Sequence, residues 1–261
     1  MERKRIDQTN CVLKSGDYVI DSFSDVIIET EVNSCCDILL TNLSDNVSIK
    51  LTVSKDSQVT LSSLVENAVN SAKIEIHVKE NSYLYSYFAD FAKDVFNLKC
   101  DIELDEKGAT AYCKLASLAS NKDLKNIDIN INHNTANTYG KVDNYGVCKD
   151  EAKLTFLGTS HILKGSIKSK TQQNAKIMVF DKASNAIAKP ILKIDENDIE
   201  ASHGAVVGKI NDEHLFYLTS RGIDENQAKE LITLGYLKPI LLGFKEEQIK
   251  EHISSLIERR M

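Results

Sequence analysis

Three segments of the chain share one pattern: Glu106-Lys107-Gly108-Ala109-Thr110-Ala111-Tyr112, Asp150-Glu151-Ala152-Lys153-Leu154-Thr155-Phe156 and Gln173-Asn174-Ala175-Lys176-Ile177-Met178. In each, a polar turn leads to a small residue and then to alternating apolar positions. The small residues recur in steps of 23, 25, 27, 27, 16, 23 and 26 residues, at Ser34, Ser57, Ser82, Ala109, Ala136, Ala152, Ala175 and Ala201. A period in the twenties with strand-like segments is typical of a solenoid, whose turns are too thin to bury a core alone. The repeat favours a parallel β-helix, and a β-sandwich with similar strand spacing is the alternative.

Strand-like runs occupy the chain up to about residue 210. Residues 26–28, 47–53, 73–78 and 127–131 are rich in β-branched side chains and alternate with period two, as strands with one buried face do. One stretch remains open between two interpretations. Residues 86–96 have apolar side chains at helical spacing, whereas their aromatic content favours a strand.

The last fifty residues change to a helical period. Asn211 and Asp212 can cap a helix that ends at Gly222, and Asp224 can cap a second helix, 225–234, that ends at Gly235. Residues 245–260 carry the apolar stripe of a third, amphipathic helix. We therefore predict a mainly β protein with a β-helix core over 1–210 and a small α-helical subdomain over 211–261. This subdomain caps the solenoid end, holds a partner, or does both.

Composition excludes several classes of function. The 261 residues include 32 basic and 38 acidic side chains, a net charge of −6, and aromatic residues make up 7% with no Trp. Such a chain lacks the basic surface and the stacking platform of a nucleic-acid-binding protein. We expect no membrane partner, because the longest apolar runs are four or five residues. The charged start without an apolar run behind it predicts no signal peptide, and we expect a cytoplasmic protein with six reduced thiols.

Motifs of catalysis are missing from the sequence. It contains no phosphate-binding loop, no G-x-G-x-x-G, no G-x-S-x-G and no H-E-x-x-H. The six histidines show no metal-ligand spacing with one another or with cysteine. We interpret His77 in a strand, His133 in a turn and His252 on a helix as structural. His203 differs because it closes the last repeat beside Gly204, where another backbone or a ligand can approach closely.

A long motif near the C-terminus resembles the SufB/SufD family. The segments Ala201-Ser202-His203-Gly204-Ala205-Val206-Val207-Gly208-Lys209-Ile210 and His214-Leu215-Phe216-Tyr217-Leu218-Thr219-Ser220-Arg221-Gly222-Ile223 match its C-terminal signature. Upstream, Ala188-Lys189-Pro190-Ile191-Leu192-Lys193-Ile194 and Asn197-Asp198-Ile199-Glu200 are similar to its P-x-L-x-I and acidic segments. The specific match covers 188–237, a looser match covers 74–261, and the chain looks like a shortened member.

This resemblance implies both a fold and a function. The fold would be a right-handed parallel β-helix. The function would be that of a non-catalytic subunit of an iron–sulfur cluster assembly complex, bound to the SufC ATPase through its C-terminal helices. The ATPase contact would lie on Phe216, Tyr217 and Arg221 and on the helix at 224–237, with Leu231, Leu234 and Tyr236. ATP-driven dimerisation of SufC would then pull on these helices.

The resemblance is to SufD more than to SufB. SufB-like chains carry a Glu where Gly204 stands and a cysteine near 173–176, and both are missing here. The resemblance implies that His203 faces a SufB-like partner and assists iron entry or the binding of a transient cluster. Ala201 replaces a cysteine found in many SufD-like chains, so thiolates would come from the partner.

Two alternative functions exist. One is a self-paired scaffold, in which two copies each supply His203 and a nearby cysteine such as Cys148. The remote one is a carbohydrate-active β-helix enzyme, which would need clustered carboxylates on one face.

Overall fold

The chain forms a β-solenoid followed by helices in a computed structural model that describes residues 3–21, 25–67 and 69–261. Positions 1, 2, 22–24 and 68 of the predicted core 1–210 lie outside the described residues. The strands are β1 (Lys4–Arg5), β2 (Asn10–Leu13), β3 (Gly16–Asp21), β4 (Asp25–Thr30), β5 (Cys35–Thr41), β6 (Val47–Val53), β7 (Gln58–Val65), β8 (Ser71–Val78), β9 (Tyr83–Asp90), β10 (Val95–Leu104), β11 (Thr110–Ala119), β12 (Leu124–His133), β13 (Tyr139–Cys148), β14 (Lys153–Ile162), β15 (Ser169–Val179), β16 (Asn185–Ile194) and β17 (Ile199–Lys209). The helices are α1 (Asp212–Ser220), α2 (Glu225–Leu237), a 3-10 helix (Lys238–Gly243) and α3 (Glu247–Arg260).

Successive strands of the chain belong alternately to two sheets. Odd-numbered strands form a nine-stranded sheet, even-numbered strands form an eight-stranded sheet, and every described pairing is parallel. The two sheets therefore face each other as in a sandwich, but the chain connects them as a spiral. The predicted β-helix is confirmed. Alternating side chains from both sheets fill the space between them with an apolar core, from Ile20 and Ile28 at one end to Phe156 and Ile177 at the other.

The turn of the spiral lengthens along the chain. Cys35 pairs with Gln58, 23 residues on, whereas Tyr139 pairs with Lys170, 31 residues on. Of the predicted small-residue positions, Ser34, Ser57, Ser82 and Ala109 lie at equivalent places of successive turns, and Ser57 Oγ accepts a 3.0 Å hydrogen bond from the Ser34 N–H. The later predicted positions leave this edge of the solenoid, which continues instead through Thr138 and Ser169.

Residues 86–96, for which the sequence left a helix and a strand as alternatives, belong to two strands and the turn between them. They contain the end of β9, a turn and the start of β10, and Phe88 and Phe96 both enter the core between the sheets. Parallel pairing with the neighbouring turns accounts for this outcome, because each strand continues a ladder already set by the turns on either side. His133 is also placed differently from the prediction: it is the last residue of β12 and is fully buried, not in a turn.

The C-terminal helices lie partly on the outer face of the nine-stranded sheet. Asn211 and Asp224 cap α1 and α2 as predicted, their side chains accepting from backbone N–H groups of the first turn. The second helix does not end at Gly235 as predicted but at Leu237, which is buried against the sheet. The 3-10 helix leads toward the first strands of the sheet, where α3 begins beside Arg3, and α3 then runs back to Lys149 at the end of β13. Ile240, Phe244, Ile253 and Ile257 of these helices form one apolar cluster with Leu39, Leu64, Phe91 and Leu118.

No helix in the described part of the chain combines the length and hydrophobicity needed to cross a membrane.

Candidate functional site

The last turn of the solenoid ends in two edge strands. Strand β17 pairs only with β15, and β16 only with β14, among the strands that the structure describes. The eleven residues of β17 therefore present a long row of backbone donors and acceptors on their free side. Such an edge is a template for pairing with another strand.

Apolar side chains remain exposed on this open end. Val206 and Val207 of β17 are 59% and 45% exposed, and Ile191 of β16 is 51% exposed. Charged residues, prolines and bulges protect edge strands in monomers, whereas the second half of β17 offers valines and glycines before its final lysine. The open end is thus suited to contact with another protein. The sequence predicted a partner at His203 but not the exposed strand edge or its valines, although the end of the repeat at β17 was a signal for them.

His203 lies in the middle of β17 and is exposed. It pairs in register with Gln173 of β15, whose side chain is buried in the interior. Residues paired across neighbouring parallel strands share a face of the sheet, so His203 stands at the rim of the solenoid interior. Its imidazole can offer one nitrogen to a metal. Within the described residues, no group of three or more His, Cys, Asp or Glu side chains could hold a metal ion.

The cysteines do not cluster at His203. All six are free thiols, and Cys36, Cys100, Cys113 and Cys148 are buried. Burial raises the pKa of Cys148 to about 11 and that of Cys113 to about 12, which disfavours the thiolate needed for metal binding. Cys148 also pairs with Val179, six residues beyond the Gln173 position of the same strand pair, roughly 20 Å along the strands. Within one chain, Cys148 is therefore buried and does not lie beside His203.

Helix α1 and the outer side of α2 form the second candidate surface. No residue of α1 is buried, and Phe216 and Tyr217 are 73% and 58% exposed. The Arg221 guanidinium lies 5.3 Å from the centre of the Tyr217 ring, a cation–π contact that orders both side chains. Leu231 of α2 is 49% exposed and lines a groove of about 550 Å³ together with Tyr217 and Val206. We call Phe216, Tyr217, Arg221 and Leu231 the α1–α2 face.

Two other predicted contact residues pack inward. Leu234 and Tyr236 contact the apolar cluster between the helices and the sheet. The Tyr236 ring stands edge-on to the Tyr145 ring, with 5.7 Å between centroids, and burial raises the pKa of Tyr236 to about 12. These side chains hold α2 on the solenoid and offer less surface to a partner than the α1–α2 face does.

Comparisons with known proteins agree with this architecture. Residues 13–236 match the family model described as "SUF system FeS cluster assembly, SufBD core domain". The iron–sulfur cluster assembly protein SufD of Bacillus subtilis is 32% identical over 154 residues, which cover 59% of this chain and 35% of that protein. SufD of Escherichia coli is 30% identical over 115 residues, 44% of this chain and 27% of the relative. SufB of Bacillus subtilis is 26% identical over 201 residues, 66% of this chain and 43% of the relative. The chain thus spans less than half the length of these relatives.

Proposed function

This chain belongs to the SufB/SufD family of the SUF iron–sulfur cluster assembly system and is SufD-like, and on this premise we propose that it is a non-catalytic scaffold subunit. Its open end would bind a SufB-like partner, with His203 at the interface, and its α1–α2 face would bind a SufC-like ATPase. The observation that carries the proposal is the position of His203 on an unprotected edge strand in a chain of this family. The free thiols are consistent with a cytoplasmic setting.

The chemistry of the open end supports a shared site. Iron or a nascent cluster would be the cargo, and His203 would supply one nitrogen ligand from this chain. Thiolates would come from the partner, because four of the six cysteines are buried here and Cys35, on β5, is six strands away from β17, roughly 29 Å. Pairing of β17 with a strand of the partner would cover Val206 and Val207 and bring the partner's side chains to the rim where His203 stands.

The α1–α2 face has the composition of a protein-binding surface. Its aromatic and arginine side chains are the types enriched at the centres of protein interfaces. Only Ile210 and Asn211 separate β17 from α1, so a pull on α1 would reach the strand that carries His203.

Co-purification with a SufC-like ATPase tests the helical contact. We expect the double variant Phe216→Ala with Tyr217→Ala to lose the complex, because it removes the two most exposed aromatic side chains of the face. Leu242→Ala is the matched control, since Leu242 is 74% exposed on the 3-10 helix. Normal binding by the double variant, or loss only in the control, would mean that the ATPase does not bind the α1–α2 face.

Anaerobic reconstitution distinguishes the two scaffold arrangements. The purified chain is mixed with ferrous iron and sulfide, alone and with a SufB-like partner, and the absorbance of a cluster is followed. We expect no cluster on the chain alone and a cluster with the partner, reduced by His203→Ala but not by His161→Ala. A cluster on the chain alone would favour the self-paired scaffold over the mixed complex.

A further inference from the structure

The interior of the solenoid becomes polar near its open end. Elsewhere the core between the sheets is built mainly of aliphatic side chains, but β13, β14 and β15 direct Asn144, Ser160, Thr171 and Gln173 inward, and all four are buried. Ser160 Oγ accepts hydrogen bonds from Thr171 Oγ1 at 2.9 Å and from Gln173 Nε2 at 2.7 Å. These contacts fix the position of the Gln173 side chain, which lies on the strand next to His203 and on the same face of the sheet.

Two carbonyl oxygens in this region have no hydrogen-bond donor among the residues that the structure describes. They are Asn144 Oδ1 and Gln173 Oε1, on side chains that are 5% and 4% exposed. A buried amide oxygen without a donor costs about 1–3 kcal/mol, and native proteins rarely leave one unsatisfied. Two such oxygens in one place indicate a bound group that donates to both.

A cavity lies where these amides meet. Asn144 and Gln173 line it together with Ala175 and Gly158, and it offers about 10 Å³ to the centre of a water molecule, which is room for one. The space exists because Ala175 and Gly158 are small. Gly158 cannot be larger, since a Cβ there would lie 2.6 Å from the Ile129 carbonyl oxygen.

We propose that this cavity is a binding site for one internal water molecule, which donates its two hydrogens to Asn144 Oδ1 and Gln173 Oε1. A water needs two or more polar partners and about this much space, and the site supplies both. An apolar group would leave both oxygens unsatisfied, and the cavity is too small for a larger ligand. The inference concerns the isolated chain and does not depend on any partner or cluster.

A crystal structure of the chain that resolves ordered solvent is the direct test. We expect one peak within about 2.8 Å of both oxygens. A site without a peak, in a structure whose other buried waters are ordered, would overturn the proposal. A peak with several oxygens at about 2.4 Å would also overturn it, because such distances belong to a bound cation.

Magnetic relaxation dispersion of the solvent water signal tests the same site in solution, because it counts long-lived internal water molecules. We expect Asn144→Leu and Gln173→Met each to lose one long-lived water relative to the unaltered chain. Thr171→Val is the matched control, because it removes a buried hydroxyl of the same face that already has a partner, and it should keep the count. An unchanged count in both amide variants, with their fold verified by circular dichroism, contradicts the proposal. The crystal experiment needs no variant and decides the question if the amide variants do not fold.

Discussion

Lys125 and Asp90 form an ion pair inside the solenoid that permits a quantitative test of the fold. The Lys125 side chain is 0% exposed and that of Asp90 is 2% exposed, and Nζ lies 2.7 Å from Oδ1. Nζ also donates to the Ala92 carbonyl oxygen at 2.6 Å and lies 5.5 Å from the centre of the Phe96 ring. Lys125 thus joins β12 to the corner between β9 and β10, about one turn of the spiral earlier in the chain.

Lys125→Met removes the charge and keeps most of the aliphatic volume. Removing one partner of a buried ion pair costs about 3–5 kcal/mol, because the other charge stays buried without compensation. Asp90 keeps two neutral donors, Ser117 Oγ at 2.6 Å and the Ala92 N–H at 3.2 Å. The Ala92 carbonyl oxygen keeps Arg260 as a donor. We therefore expect the lower end of the range, a loss of about 3 kcal/mol in the free energy of unfolding.

Asp90→Asn combined with Lys125→Met should restore most of this loss. Asn can still accept the Ser117 hydrogen bond, but the Ala92 N–H then loses its acceptor because Asn has one oxygen. The double variant holds no buried charge at the site, so we expect it to be about 1 kcal/mol less stable than the unaltered chain. Urea unfolding at neutral pH, followed by far-ultraviolet circular dichroism, measures each value, and Lys73→Met, at an exposed lysine of β8, is the control. A single variant as stable as this control, or a double variant as unstable as the single one, would refute the reasoning.

Three further perturbations should change stability or amide hydrogen exchange in a defined direction. Burial lowers the pKa of His133 to about 4 from 6.5, so the unfolded chain binds this proton first. Stability should fall by up to about 3 kcal/mol as the pH drops from 6.5 to 4, and His133→Gln should flatten that part of a urea-unfolding pH series. Burial alone would lower the pKa of His77, but hydrogen bonds to Glu75 and Asp105 outweigh it and raise that pKa. His77 thus contributes stability below pH 6.5 that is lost as the pH rises through its raised pKa, and His77→Gln should remove this loss from the same series. Arg260→Met should speed amide hydrogen exchange in α3 while β9 stays protected, because Arg260 ties the end of α3 to the Phe91 carbonyl at 2.5 Å; equal exchange in α3 would contradict this.

The fold was predictable from sequence because local and long-range preferences agree. A backbone with positive φ precedes the small residue in turn after turn, at Asn33, Asp56, Asn81, Gly108, Asn137 and Lys168, with φ between 53° and 80°. Asn, Asp and Gly tolerate this conformation best, and in five of these six turns the repeat is such a residue followed by Ser, Ala or Thr; Lys168 before Ser169 is the exception. A search for small residues alone found the first four turns and then left the edge at Ala136, one residue before Asn137. A search for the two-residue pattern, a residue with positive φ followed by Ser, Ala or Thr, would have found the later, longer turns as well.

The site could be predicted only in part. His203 was identified from its motif, and the caps of α1 and α2 from their residue types, because both signals are local in the sequence. The burial of Cys148, the inward packing of Tyr236 and the polar interior at Asn144 and Gln173 depend on the register between strands about thirty residues apart. A single sequence carries no direct signal for that register. For a strand whose two faces are both partly polar, the sequence is compatible with either face pointing inward.

The way the tail is attached bears on how force would reach His203. Arg3 donates to Glu246 at 2.5 Å and to Asp37 at 2.6 Å, and Lys245 contacts Asp17, so the segment that begins α3 is fixed to the first turns of the solenoid. The apolar side chains of α3 and the 3-10 helix fix it along the sheet. Helix α1 has no buried residue and joins β17 directly. A partner that pulled on the α1–α2 face would therefore meet firm resistance through α3 and little through α1. On the proposed function, the displacement would pass from α1 into β17, which pairs with β15 alone among the described strands and carries His203 at the open rim.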